Sequence, residues 1–410
     1  MAYELKQQDL AALLIGGAFF GSGGGGTIES ARHLASHFQK GDYYPAATVR
    51  VVSVDEAAAA QEGDAVMVAY LGAPEAINTA QYPLGPVTAA QKIAARLVEQ
   101  GRKLAYVAPP ESGALGFVVA CLVAAKLGIA VLDADGAGRA VPSLPMLTYA
   151  AQKIDPRPAF LVSQSGLCVE LDVTPRAGSH GDAGHQRDVS AIVEQMMRPV
   201  VSDPDFEQYG GLAMWVMQPS QLQRALPVRG TLTRALELGR AVNSGDIASA
   251  AQMTRYLADR CGITAHTLVA HGEFKSASVN TAGGFDVGQI VIHAGSADFT
   301  VLYQNESLMV WDSRRPAPVL LAPDSVAYFV EGSGEAVFTN GDLVTEKGAL
   351  NPAVTGRKVT LLAWEAEPAL RVPGGLIVTS FLEALASPLG YLGPYVPVGA
   401  LQKLTEGGVA

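Results

Sequence analysis

Acidic side chains close three stretches that read as parallel strands. They are Glu75 in Gly72-Ala73-Pro74-Glu75, Glu111 in Pro109-Pro110-Glu111-Ser112-Gly113, and Asp133 with Asp135 in Asp133-Ala134-Asp135-Gly136. Carboxylates gathered at one rim of a sheet can act as a general base on water, bind a divalent cation, or accept hydrogen bonds from the N–H groups of a cyclic amide. Asp133 and Asp135 are two residues apart, so in extended chain both face the same side, and Arg139 is near enough to pair with one of them or to hold a carboxylate. Asp after a strand is also an ordinary turn and cap residue, and an Asp–Arg pair can be purely structural. Position favours chemistry, because open parallel sheets bind ligands outside the carboxyl ends of their strands.

A second candidate is Gly21-Ser22-Gly23-Gly24-Gly25-Gly26-Thr27, which opens a helical stretch with Ile28, Ala31, Leu34 and Phe38 on one face. Bare N–H groups around Gly23, Gly24, Gly25, Gly26 and Thr27 would receive an anion or a polarised substrate oxygen, aided by the helix dipole. No Gly-Lys-Ser or Gly-Lys-Thr follows, and a helix rather than a strand precedes, so this is neither a P-loop nor a dinucleotide fingerprint. The plain alternative is a flexible connection between helices, against which stands the entropic cost of four consecutive glycines.

A third candidate is Gly178-Ser179-His180-Gly181-Asp182-Ala183-Gly184-His185. His180, Asp182 and His185 offer two imidazoles and a carboxylate to a divalent metal such as zinc. The spacing is also that of exposed polar residues before a helix, with Asp182 as a cap. His266, His271 and His293 lie in strand-like sequence where hydrogen-bonded histidines are common, and Lys275 reads as a solvated strand lysine. There is no Gly-x-Ser-x-Gly elbow, and no cysteine has a neighbouring histidine that suggests a thiol nucleophile.

These residues need a scaffold. Val49–Val54, Ala65–Tyr70, Leu104–Ala108 and Ile129–Leu132 read as strands, separated by helical stretches that include Val87–Gln100 and Leu115–Leu127. Strand, helix, strand in this order predicts an α/β N-terminal domain with a mostly parallel sheet and right-handed crossovers. Arg187–Arg198, Leu232–Val242 and Ile247–Cys261 read as helices, with Thr231 as an N-cap, and Leu212–Met217 as a strand. Beyond residue 262 short strands predominate: Thr264–Ala270, Gln289–His293, Phe299–Gln304, Ser307–Asp312, Pro318–Leu321, Ser325–Val330, Lys358–Ala363 and Gly375–Thr379. This predicts a β-rich α+β C-terminal domain. The turn-rich Asp155-Pro156-Arg157-Pro158 puts the division between residues 1–165 and 166–410.

Composition narrows the functional classes. The 410 residues carry a net charge of −10, which disfavours nucleic acid and anionic membranes as partners, and no basic block relieves it. Cys121, Cys168 and Cys261 are far apart, so neither a disulfide framework nor a zinc ribbon is indicated and a cytoplasmic setting is expected. The apolar runs Leu10–Phe20 and Ala114–Leu132 read as buried elements. The first lacks the basic flank of a signal peptide, and the second holds Lys126 and a Lys-Leu-Gly turn. With charged residues at 17% and Gly at 44, the surface is weakly charged, and a homo-oligomer is expected.

Several motifs follow one another along the chain: Gly23-Gly24-Gly25-Gly26, Asp133-Ala134-Asp135-Gly136-Ala137-Gly138-Arg139-Ala140 with Pro142, Gly230-Thr231-Leu232 leading to Leu238-Gly239-Arg240-Ala241, Gly283-Gly284-Phe285 with Gly288, and Gln304-Asn305-Glu306-Ser307-Leu308. Their order resembles the S-methyl-thiohydantoin desulfurase-like family, also described as hydantoinase/oxoprolinase-associated proteins. The resemblance spans nearly the whole chain. It implies hydrolytic loss of methanethiol from a five-membered S-methyl-thiohydantoin ring, giving a hydantoin, with zinc. Pro109-Pro110-Glu111-Ser112-Gly113-Ala114 stands where the family has Glu-Ile-Gly-Gly, and Ser143 where an acidic residue follows the proline. Both departures fall on the rim, so the resemblance does not fix the substrate. The reading is a metal-assisted hydrolase-like enzyme for a small cyclic amide or imide. In it Asp133 or Asp135 activates water, Glu111 is the proton donor, Arg139 the carboxylate holder, and Glu75 part of the substrate rim. The alternative is a non-catalytic subunit or ligand-binding companion of a hydantoinase or oxoprolinase.

Overall fold

A computed structural model of the chain describes residues 2–39, 48–72, 85–174, 188–282, 285–345 and 347–406. In chain order the strands are β1 Tyr3–Lys6, β2 Thr48–Val52, β3 Asp64–Gly72, β4 Leu104–Ala108, β5 Ala130–Leu132, β6 Ala134–Asp135, β7 Ala159–Val162, β8 Cys168–Leu171, β9 Tyr209–Met217 and β10 Val228–Arg229. They continue with β11 His266–Ala282, β12 Phe285–Ala294, β13 Ala297–Gln304, β14 Glu306–Asp312, β15 Leu320–Leu321, β16 Ser325–Val330, β17 Val337–Phe338 and β18 Lys358–Trp364. The helices are α1 Leu10–Phe20, α2 Ile28–Ser36, α3 Val54–Ala60, α4 Gly85–Glu99, α5 Ala114–Leu127, α6 Thr148–Ala151 and α7 Val189–Val201. After them come α8 Pro219–Ala225, α9 Thr231–Asn243, α10 Ala250–Cys261, α11 Asn340–Leu343, α12 Leu376–Ala386 and α13 Val398–Glu406.

The first sheet runs β1-β2-β5-β4-β3-β9-β7-β8. Its centre, β2 to β3, is parallel, and the remaining strands add antiparallel on either side. Helices cover both faces, which is why the central strands are apolar without alternation. Val66, Val68, Val107 and Val131 join the core under α1 and α5, while Ala65, Met67, Tyr106 and Leu132 join the opposite one. The second sheet, β15-β14-β13-β12-β11-β18-β16-β17, is antiparallel throughout. The chain is therefore an α/β unit with a mixed sheet, parallel at its centre, followed by a β-rich unit with helices. β9, from the middle of the chain, inserts beside β3 in the first sheet.

The apolar helix α1 joins the two units. A Cβ on Gly16 would lie 1.8 Å from the carbonyl oxygen of Ala235 in α9, and one on Gly239 equally close to that of Ala12. Only glycine lets the two helix backbones meet at this distance. At its far end Phe19 stacks on Trp364 of β18, with ring centroids 5.5 Å apart. Among the described residues no helix is long and apolar enough to cross a membrane. α5 ends at Leu127 and Gly128 turns the chain in left-handed conformation before β5, so the apolar run from Ala114 is two buried elements.

Three local expectations need correction. The strand expected over Val49–Val54 stops at Val52, because Ser53 caps α3 and Glu56 completes a capping box with it. Gly375–Thr379, β-branched enough to read as a strand, starts α12, whose Ile377, Phe381 and Leu385 recur at helical spacing and are buried. Thr231 is the first helical residue of α9, and Gly230 holds the cap position at φ 70°.

Candidate functional site

The glycine loop lies between the two units. Ser22 accepts the N–H of Ser307 on its carbonyl and that of Val326 on its hydroxyl, and the carbonyl of Gly23 accepts from Asn340. On the other side the carbonyl of Gly25 accepts from Leu115, and a Cβ on Gly113 would lie 2.7 Å from the Cα of Gly25. The loop thus binds the start of α5 to β14, β16 and α11. That close approach brings two carboxyl groups together from distant parts of the sequence.

Glu111 follows β4 and reaches under the loop after Gly138, where its Oε2 accepts the N–H of Val141 at 2.7 Å. Glu306 opens β14 directly after Asn305, which turns the β13–β14 hairpin at φ 57°. Glu306 is 5% exposed, its carboxyl accepts from the N–H of Gly25, and its Oε2 is buried without a hydrogen-bond partner among the described residues. Burial pushes Glu306 up to about 7, opposed by the positive charge of Arg139, these hydrogen bonds and the charge of Arg198. Burial also raises Glu111 well above the ordinary range, and the charge of Glu306 is the next cause. Two interacting buried carboxyls cannot both ionise readily. Arg139 favours ionisation of both, Arg198 and the N–H of Gly25 favour that of Glu306, and the N–H of Val141 favours that of Glu111.

Arg139 supplies this charge from below. It is 1% exposed and donates to four main-chain carbonyls: Ala140 at 2.9 Å, Pro323 at 3.0 Å, Asp324 at 2.6 Å and Ser307 at 2.8 Å. Burial lowers it to about 10, against the opposing pull of Glu306, Asp324 and Glu111. Arg198 of α7 stands 3.7 Å over the ring of Phe285 and pairs with Glu194, whose other oxygen accepts from Leu144 at 2.9 Å.

Two family profiles together cover most of the chain. The profile of the S-Me-THD-like N-terminal domain matches residues 8–173, and that of the S-Me-THD-like C-terminal domain matches residues 187–398. The chain belongs to the S-Me-THD-like family. Its fold is similar to the crystal structure of a protein from Chromobacterium violaceum, at 55% identity and TM-score 0.87, over 97% of this chain and 100% of that one. No curated protein matches the chain.

In this S-Me-THD-like chain the expected rim residues have separate fates. Glu111 and Arg139 stand at the carboxyl pair. Asp133 lies where β5 ends and the chain turns into β6, which pairs with β10 rather than continuing the large sheet. Its Oδ1 accepts the N–H groups of Leu232 and Thr233, each at 3.0 Å, and its Oδ2 the hydroxyl of Thr233, so it caps α9. Asp135 is 0% exposed and accepts from the Ser112 hydroxyl at 2.6 Å and the N–H groups of Ala137 and Gly138 at 2.8 and 2.5 Å. It shapes the turn that delivers Arg139. Arg139 donates its hydrogen bonds to main-chain carbonyls rather than to Asp133 or Asp135.

The N–H of Gly24 and two in the first turn of α2 also have partners within the protein. Gly24 donates to Gly21 at 2.9 Å, Ser30 to the Thr27 hydroxyl at 3.0 Å, and Ile28 to the carboxylate of Asp342 at 3.0 Å. Glu75, His180, Asp182 and His185 lie outside the described residues. Among the described residues no group of three or more His, Cys, Asp and Glu side chains is placed to hold a metal. Glu306 is the residue that sequence reasoning left without a role. Its signal was its place in Gln304-Asn305-Glu306, with a turn-forming Asn between two polar side chains.

Proposed function

We propose that this chain is a hydrolase-like enzyme acting on a small cyclic amide of the S-methyl-thiohydantoin type, with Glu306 as general base and Glu111 as general acid. The observation that carries the reading is the buried, mutually interacting carboxyl pair of Glu111 and Glu306, with an oxygen of Glu306 that has no hydrogen-bond partner among the described residues. Family membership supports the ring chemistry. As water adds to the ring carbon bearing sulfur, Glu306 takes its proton, and the C=N electron pair moves to the ring nitrogen, which takes the proton of Glu111. On collapse the new hydroxyl returns its proton to Glu111, the C–S bond breaks, and methanethiol leaves with the proton held by Glu306. One water is consumed, a hydantoin and methanethiol form, and both carboxyls regain their starting states.

A positioned general acid or base contributes roughly 10²–10⁴ to such reactions. Purified protein incubated with an S-methyl-thiohydantoin should release methanethiol, detected with a thiol reagent. Glu306→Gln and Glu111→Gln should each lose at least about a hundredfold in kcat while keeping the folded circular dichroism spectrum. Wild-type protein that binds the ring without thiol release would instead support the companion-subunit reading. A divalent ion on His180, Asp182 and His185 is a separate proposal, to be settled by metal analysis of the purified protein, and none of these steps passes through it.

A further inference from the structure

Gln304 and Glu306 are directly opposed across the β13–β14 hairpin, so their side chains project from the same face as nearest cross-strand neighbours. One oxygen of each, Oε1 of Gln304 and Oε2 of Glu306, is buried and has no hydrogen-bond partner among the described residues. Buried acceptors are rarely left unpaired. Two of them on opposed cross-strand positions call for something that carries two donors and little bulk, and a water molecule, with two O–H groups, has that form. The positive charges of Arg139 and Arg198 that act on Glu306 weigh against a cation in the same place.

We propose that Gln304 and Glu306 together hold the water that attacks the substrate, with Gln304 as its positioning residue. The inference rests on the hydrolytic reading above. One O–H of this water points to Glu306, which removes that proton, and the other points to Gln304, which keeps the lone pair of the water directed away from the hairpin toward the ring. Without the amide oxygen the water can still reach the base, but its lone pair is no longer aimed.

A crystal structure of the wild-type protein tests the site independently of activity. An ordered water within about 3 Å of both Gln304 Oε1 and Glu306 Oε2 is expected. A direct contact of about 2.6 Å between the two side chains with no water between them, or an ion with ligand distances near 2.1 Å, would overturn the site whatever the activity. Kinetics test the role. Gln304→Leu should lower kcat roughly a hundredfold with KM unchanged, and Gln304→Glu, which keeps an acceptor, should recover part of the loss. Melting temperatures of both variants separate a fold defect from a positioning defect. A Gln304→Leu protein with wild-type kcat overturns the role. No thiol release by wild type, with the water in place, overturns the reaction and its lytic role while the water site stands.

Discussion

A Cβ added to Gly24 would lie 2.4 Å from Oε1 of Glu306 and 2.3 Å from its Cγ, so the loop is glycine at this point because the carboxyl side chain occupies the space. At Gly24 the glycine run therefore makes room for an internal acid. Gly24→Ala should push Glu306 out of register with Glu111. The expected cost is about 1–3 kcal/mol in stability, the usual range for overpacking, and a fall in kcat that exceeds what the loss of folded protein explains. Denaturant melts with kcat normalised to folded protein would check it. Unchanged kcat would mean that Glu306 can shift without consequence.

The raised Glu306 makes stability depend on pH in a defined direction. Burial lifts it from 4.5 to about 7, so below pH 4.5 folded and unfolded chains both hold the proton and nothing is lost. Between these values the folded chain keeps a proton that the unfolded chain has released, and stability falls as pH rises, by about 3 kcal/mol over the window. Glu111 shifts in the same direction and adds to the slope. Glu306→Gln should melt at the wild-type temperature near pH 4 and above it near pH 8. Equal melting differences at both pH values would show that Glu306 is not protonated in the folded state.

Much of this site follows from local rules, and the remainder depends on contacts between sequence-distant residues. β3, β4 and β5 stand out because strands buried on both faces are continuous apolar runs, and Glu111 was noticed because it follows such a strand. The pairing of Asp133 with Asp135 was inferred from the two-residue period of extended chain. The strand breaks at Asp133, and β6 turns away to pair with β10, so the period does not apply. Asp342 could not be foreseen at α2, since a cap from the remote helix α11 leaves no trace near Ile28. Glu306 meets Glu111 only because the glycine loop binds the second sheet to the first, and neither periodicity nor propensity encodes that contact.

Substitutions at Asp133 and Asp135 separate architecture from chemistry. Asp133→Ala removes the cap of α9 and should cost about 1–2 kcal/mol of stability, with kcat of the folded fraction unchanged. Asp135→Asn keeps an oxygen for the N–H groups of Ala137 and Gly138, so it should cost about 1 kcal/mol and leave thiol release within severalfold of wild type. A loss at Asp135→Asn as deep as at Glu306→Gln would assign the chemistry to the buried turn.

Arg139 ties the two units together and sets the charge of the carboxyl pair at once. Arg139→Met leaves the carbonyls of Ala140, Ser307, Pro323 and Asp324 without these donors and removes the cation that opposes the rise of Glu306. Stability should fall by about 3–5 kcal/mol, the range for breaking a buried charged network from one side. Arg139→Lys keeps the charge but lacks the planar fork that reaches several carbonyls, so it should recover less than half of that loss. In whatever fraction of either variant folds, the pH–rate profile is the more telling measurement. Losing the cation raises the affinity of Glu306 for its proton, so the ascending limb of kcat/KM, which follows the ionisation of the base, should move to higher pH in Arg139→Met and stay near wild type in Arg139→Lys. A limb that moves equally in both would show that the shift comes from loosened packing of the two units and not from the lost charge.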